Sequence, residues 1–522
     1  MRFSPPLLAV ALFNTAVFAR QVELETPSED KLEAEACCHA LSSVLPGQVF
    51  WPSSEPYSTQ QSSYYSGEQA TMTPACRVSP NNTFDVSRIL EFAGAHKCQF
   101  AVRTGGHMAW TGASNIASEG FTVDLQRIKG VTLSEDRSVV SFGAGSRWRD
   151  VYAVLQPMNL TTVGGRVGDV GVGGFLLGGG IGFLSAEYGF GSDNVIEYEV
   201  VLANGSVIHA TNQNQHSDMY WALKLGSTNF GVVTRFDMLT YTQGPVWGGS
   251  QFFAIQDAPI LLERLVEFTE KLAEDPKGFF GLSLAWNPES KDYIIWTLQT
   301  YLQPEPYPEL WSNFKSLTPL VDMMGIKSLV DITEEFQEAD PGKRGRSRWL
   351  SMTYKANAQF HLDLHAKGIE LFSPYHDHAG VHWAVSVQPI PARLATASVT
   401  NGGNPTCLKE SDGDLWVMLI TTDWLDPADD FIMNTNAEAL LKWAEDETQR
   451  RNLFSPFIYM NYASGSESVI IRSTSQETLE RMMWVKQMYD PQGLLDELWR
   501  GGFKLPQIDE SRPVVNYDRS EL

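Results

Sequence analysis

From Gly164 to Gly182 ten residues are glycine, in the run Gly164-Gly-Arg-Val-Gly-Asp-Val-Gly-Val-Gly-Gly-Phe-Leu-Leu-Gly-Gly-Gly-Ile-Gly. Each glycine loses more backbone freedom on folding than any other residue, so an ordinary loop has no reason to carry so many. Close approach of the backbone to an extended ligand is such a reason. A second, shorter segment, Arg103-Thr-Gly-Gly-His-Met-Ala-Trp-Thr-Gly-Ala-Ser-Asn, follows the largely apolar strand-like stretch Cys98-Gln-Phe-Ala-Val-Arg. Consecutive glycines after a strand let backbone N–H groups converge on one point, a concave anion site for which a diphosphate is the natural guest. The chain has neither a clean G-x-G-x-x-G turn between strand and helix nor a Walker A sequence, so a Rossmann dinucleotide site and a P-loop are both unsupported.

The 522 residues exceed what one core organises, and two or more domains are expected. A net charge of −23 argues against nucleic acid as partner, because that binding needs a basic footprint. Residues 1–19 read as a signal peptide: Arg2, the apolar Leu7 to Phe18, and small residues before a cut after Ala19. No later stretch is apolar for long enough to span a bilayer. Sequons at Asn81, Asn159 and Asn204 agree with secretion and mark expected glycosylation sites.

Residues 20–71 read as a polar lead-in. Within 72–243 short apolar strands alternate with glycine turns and a few helices. Asp85 is read as the cap of a helix running to Ala93, and Asn204-Gly205 as a hairpin turn. Residues 244–455 mix helices (Ile260 to Ala273, Ala437 to Arg451) with strands (Tyr293 to Tyr301, His382 to Val387, Leu415 to Thr421), which suits an antiparallel sheet backed by helices. Residues 456–522 carry an expected strand, Phe457 to Tyr462, and a helix, Ser475 to Met488. The basic run from Lys343 to Arg348 reads as a solvated loop.

The stretch from Pro74 to Tyr241 resembles the flavin-binding domain of the vanillyl-alcohol oxidase and berberine-bridge-enzyme family. The matching pieces include Arg103-Thr-Gly-Gly-His, Val123-Asp-Leu, Gly143-Ala-Gly, Val172-Gly-Gly-Phe-Leu-Leu-Gly-Gly-Gly-Ile-Gly, Asp193-Asn-Val, Tyr220-Trp-Ala-Leu and Asn229-Phe-Gly-Val-Val-Thr. Tyr459-Met-Asn-Tyr and Val485-Lys-Gln-Met-Tyr-Asp-Pro match near the C-terminus. The fold implied is α+β: a two-part FAD-binding domain of the PCMH type (72–243), a substrate domain (244–455), and a C-terminal segment returning to the first.

The resemblance implies FAD bonded through the imidazole of His107 to the flavin C8 methyl. It also implies cofactor contacts from Arg103, Thr104, Gly105, Gly106, Gly164, Gly165, Val170, Gly171, Gly173, Gly174, Val232, Asn461 and Tyr462. Many members carry a second tether, a cysteine where this chain has Val167, so a single covalent link is expected here. Val170 aligns where oxygen reaches the ring, and its small side chain leaves a path. Flavin oxidation also needs a base for the substrate proton. Tyr459 and His382 are the candidates, each with a structural role as the competing reading, and Gln388 is a further pocket residue. Period-two alternation sets Tyr459 and Asn461 on one face of the expected strand and Tyr462 on the other.

No metal site is expected, and Cys37, Cys38, Cys76 and Cys98 are read as two disulfides in an oxidising compartment. Joining neighbours would strain the backbone, which leaves two pairings, with Cys38–Cys98 and Cys37–Cys76 favoured and Cys407 a free or buried thiol. The partners expected are a small organic substrate, such as a secondary metabolite undergoing oxidative cyclisation, and O2, acting on a monomer. A carbohydrate or alcohol oxidase and a non-redox template cyclase are the competing readings.

Overall fold

The computed structural model describes residues 28–338, 345–400 and 402–506; the signal-peptide segment lies outside them. Three sheets of four, five and nine strands organise the described residues, beside one short ribbon of Leu160–Thr161 with Tyr241–Thr242. The first has strand order Val49–Phe50, Cys76–Val78, Phe121–Asp124, Phe100–Arg103, parallel except for the antiparallel first pair. The second is antiparallel, with Val232–Leu239 between Val139–Gly143 and Val195–Val201 and the hairpin strand Val207–Ala210 at one edge. One core spans both sheets, the Glu29–Val44, Thr83–His96 and Trp148–Leu155 helices and the chain from Ile458 onward.

The third sheet is a nine-stranded antiparallel one in which Gly278–Asn287, His382–Ile390, Leu415–Trp424 and Arg346–Lys355 are successive neighbours. Alternation divides its residues between two faces. Trp383, Val385 and Val387, with Trp416, Met418 and Ile420, pack beneath the Ala258–Lys271, Ala358–Phe372 and Asp430–Arg450 helices. The residues between them, from His382 to Gln388 and from Val417 to Asp423, line a cavity. This is the expected antiparallel sheet backed by helices.

Several local expectations need correction. The helix over 83–96 is capped by Asn82, whose side chain accepts from Asp85 N at 3.0 Å; Asp85 sits in the first turn and accepts from Asn81 N at 3.0 Å. An asparagine one turn earlier thus competes successfully for the cap. Residues 460–462 form a 3-10 turn rather than a strand. The lead-in is not a loose segment from residue 28 on: Cys38 and Leu41 of its helix, and Leu45 just past the helix end, join the first core.

The disulfides are Cys37–Cys98 and Cys38–Cys76, the pairing opposite to the one favoured. Adjacent residues on a helix point about 100° apart, which follows from 3.6 residues per turn. Cys38 faces the core beside the first strand residue, Cys76, while Cys37 faces the end of the 83–96 helix, where Cys98 begins the next connection. Cys407 is free, as expected. The described part of the basic run is not solvated, since Arg346 pairs with Glu68 and Asp430, and Arg348 with Glu438. The three sequon asparagines are exposed.

Candidate active site

The two glycine segments meet each other. A Cβ on Gly105 would lie 2.5 Å from the Gly171 backbone, and the reverse is equally close, so the loops cross where neither tolerates a side chain. Gly164 and Gly165 pack on the Trp148 indole, and Gly178 on Asn461. Much of the glycine content therefore serves loop-on-loop packing. Gly174 is different: a Cβ there would meet nothing within 4 Å, because that position opens onto the cavity.

The cavity holds about 680 Å³, within the range of cofactor and ligand sites. It runs between the glycine loops and the free face of the large sheet. Thr104, Gly105, Gly106, His107, Gly165, Val170, Gly171, Gly173, Gly174, Val232, Asn461 and Tyr462 all line it, together with Tyr459 and His382. Two expected contacts do not. Gly164 stands behind the wall against Trp148. Arg103 points inward to Asp124 Oδ2 at 2.6 Å and to Ser63 Oγ at 2.8 Å. Burial opposes the charge on Asp124, but Arg103 and Arg77 outweigh it and hold the carboxyl below its ordinary range. The arginine side chain braces the turn.

The turn carrying His107 is held from the N-terminal side. Gly106, at φ 66°, reverses the chain, and its carbonyl accepts from Tyr65 N at 3.0 Å. The Tyr65 ring stacks on His107 at 4.3 Å, and Trp349 of the large sheet meets Tyr65 edge-on at 5.6 Å. Gln69 fixes the far side of the turn by donating to Met108 O and accepting from Ser114 N. Nothing in the composition of residues 55–72 signalled this support.

Tyr459 and Tyr462 meet edge-to-face at 4.8 Å, not on opposite faces of a strand. The Tyr459 hydroxyl is turned into the protein, accepting from Ile181 N at 2.8 Å and from Asn461 Nδ2 at 3.1 Å. Burial pushes its pKa above the ordinary tyrosine value. The Tyr462 hydroxyl accepts from Arg166 Nη2 and donates to Gln388 Oε1 at 3.2 Å. Arg166 was not singled out in the sequence, although a lone cation between Gly165 and Val167 in a glycine run is a usable signal. His382 Nδ1 lies 3.2 Å from Asp423 Oδ2, its neighbour across the sheet.

The cavity wall also carries polar atoms without a protein partner among the described residues: the indole N–H groups of Trp110, Trp286, Trp296, Trp349 and Trp499, and Gln388 Nε2. These donors are sealed inside the wall, and what the cavity offers a guest is glycine backbone at Gly105, Gly106, Gly171 and Gly173 beside the rings of Tyr65 and Trp349, a surface for a diphosphate and a flat ring. Together with the opening at Gly174, this fits FAD.

Residues 74–211 match the FAD binding domain family. The FAD-dependent monooxygenase drtC of Aspergillus calidoustus is 32% identical over 513 residues, covering 96% of each chain. The FAD-dependent monooxygenase tpcD of Cochliobolus heterostrophus is 32% identical over 470 residues, covering 86% of this chain and 88% of that one. Among solved structures, 6-hydroxy-D-nicotine oxidase from Arthrobacter nicotinovorans superposes with a TM-score of 0.73 at 19% identity, covering 88% of this chain and 98% of that one. A variant of berberine bridge enzyme in complex with (S)-reticuline gives 0.68 at 16% identity, covering 90% and 97%. The last two show a shared fold. Cofactor cradle, fold and full-length relatives agree: the chain is an FAD-dependent oxidoreductase and belongs to the vanillyl-alcohol oxidase and berberine-bridge-enzyme family.

Proposed function

We propose that this protein oxidises a small, largely apolar secondary metabolite, with FAD tethered through His107 alone and O2 as the terminal acceptor. The observation that carries this reading is the single cavity shared by the His107 turn, the glycine loops and the Tyr462 cluster. FAD held by these residues would supply the hydride acceptor, with O2 as the final destination of the electrons. The His107 imidazole is at the end of a turn clamped by Tyr65, which sets it against the cavity. Val167 offers no sulfur for a second bond, and the small Val170 side chain leaves the wall open for oxygen.

Tyr462 is the residue we assign as base, in place of Tyr459 or His382. Its oxygen faces the cavity with a guanidinium beside it, an arrangement that stabilises the negative charge left when the proton moves. Gln388 orients the hydroxyl. Tyr459 holds the loop, its oxygen already engaged by two donors. Exposed sequons and two disulfides support folding in the secretory pathway.

The relatives' names as monooxygenases favour a second outcome, insertion of one oxygen atom into the product. Acid precipitation tests the tether: yellow colour stays with the polypeptide, and is lost to the supernatant in His107→Ala. Anaerobic addition of a metabolite panel tests the redox role, since the true substrate bleaches the flavin and a template cyclase forms product without bleaching. A sugar that bleaches it in preference would make the protein a carbohydrate oxidase. Under labelled O2, a labelled product signifies insertion and an unlabelled one simple oxidation.

A further inference from the structure

The cavity has a second polar station, well away from the Tyr462 cluster. His382 and Gln388 lie on the same face of one strand, six residues apart, which separates them by about 20 Å at the usual rise of an extended chain. Gln388 holds the Tyr462 end. His382 holds the other, across from Asp423 and one residue beyond the Trp286–Trp383 pair, where the wall passes into the exposed turn at Glu289. Between them the wall carries Ala384 and Leu419, the Trp296 ring with its N–H sealed in the wall, and two hydroxyls, Ser386 paired to Ser283 at 2.7 Å and Thr421 across the sheet from Ala384.

Asp423 is 8% exposed, and while one of its oxygens meets His382, the other has no partner among the described residues. A carboxylate only accepts, so the proton of a neutral His382 sits on Nδ1 and the Nε2 lone pair is left for the cavity. The station therefore recognises a hydrogen-bond donor. We propose that the His382–Asp423 pair anchors a hydroxyl group of the substrate, remote from the carbon that is oxidised, and so selects hydroxylated over alkylated or unsubstituted ring systems. This rests on the cavity being the substrate site of the FAD enzyme. His382 is thereby a specificity-determining residue and Asp423 the positioning residue that sets its tautomer.

Calorimetric titration of the oxidised holoenzyme with 2-hydroxyanthraquinone and its 2-methoxy counterpart tests this without turnover. The two probes differ in the ability to donate and by one methyl group, whose contribution His382→Phe leaves in place. One hydrogen bond with net worth near 1 kcal/mol makes the hydroxy compound bind about five- to tenfold tighter. In His382→Phe that preference should fall to within about twofold while the methoxy compound binds as before. In Asp423→Asn, which keeps the shape, the amide donates to Nδ1, the ring proton moves to Nε2, and the preference should disappear, since the oxygen of either probe can accept that proton. A preference that survives in both variants, no preference in the wild type, or failure of the hydroxy compound to bind would overturn the proposal. Failure of the redox reading shows elsewhere, as a flavin that no compound bleaches, and leaves these binding ratios unaffected.

Discussion

Two tyrosines three residues apart, Tyr459 and Tyr462, differ in what surrounds their oxygens, and the proposed mechanism gives them separate work. Tyr459 accepts from Ile181 N and Asn461, so Tyr459→Phe leaves the buried Ile181 N unpaired, while Asn461 Nδ2 keeps its bond to Phe175 O, and should cost about 1–3 kcal/mol of stability. Turnover in that variant should stay within a few-fold of wild type. Tyr462→Phe removes the oxygen that Arg166 and Gln388 address, and kcat should fall about 10²- to 10⁴-fold, the usual contribution of a positioned base. Flavin content, read from absorbance after acid precipitation, should be unchanged. Thermal melts beside steady-state rates separate the two roles. If Tyr459→Phe were the slow enzyme and Tyr462→Phe the less stable one, the base would have to be moved to Tyr459.

Between elements, one buried carboxyl is among the groups that join the large sheet to the C-terminal segment. Glu467 accepts from Ser464 N at 2.7 Å and from Ser351 N at 3.3 Å, and burial pushes its pKa up to about 7. In the unfolded chain it returns to its ordinary value of 4.5. Between those two values the unfolded chain releases a proton that the folded one keeps, so this group's stabilisation is complete below about pH 4.5 and is lost as pH rises to about 7. The loss amounts to about 3 kcal/mol. Glu467→Gln retains an acceptor and should remove that slope, seen as a smaller difference between denaturation midpoints at pH 5 and pH 7.5 than in the wild type. Elements of this kind also mark the limit of what was legible in the sequence. Strands such as Val139–Gly143, Leu415–Trp424 and the Asn204-Gly205 hairpin are stated by local periodicity and turn chemistry. The glycine segments were legible because their composition is costly without a cause, and the expectation for His107 came from the family resemblance of its turn. The Tyr65 clamp, the Arg166–Tyr462 contact and the disulfide pairing were not, since each depends on which way a side chain faces after distant segments meet. The 3-10 turn at residues 460–462 was missed because six alternating residues read as a strand unless the neighbouring chain is known.

At the scale of the molecule, the FAD-binding half is completed by the end of the chain. Trp499 forms a bridge with Phe100 beside the first sheet, Arg500 N donates to Phe100 O at 2.7 Å, and Leu505 N donates to Asn229 Oδ1 at 2.8 Å. Trp499 and Phe503 also wall the cavity, so the cofactor site exists only once residues some 400 positions apart have closed on each other. Lys504 lies inside this closure, its ammonium donating to Thr228 O and Leu495 O, both at 3.1 Å. Burial, with Lys486 nearby, pulls its pKa down to about 7 from an ordinary 10.5. Between those values the unfolded chain binds the proton and the folded one does not, so stability from this group rises with pH above 7 and is lost as pH falls through it. From pH 7 to pH 9 the wild type should gain about 2 kcal/mol relative to Lys504→Met. A variant without the amine has no such dependence, and the comparison cancels every other titrating group common to both proteins. Denaturant midpoints followed by flavin absorbance report the closure directly, because loss of the C-terminal wall changes the environment of the bound ring. Equal pH profiles for the two proteins would mean that Lys504 is hydrated in solution and that the chain's end does not seal the site.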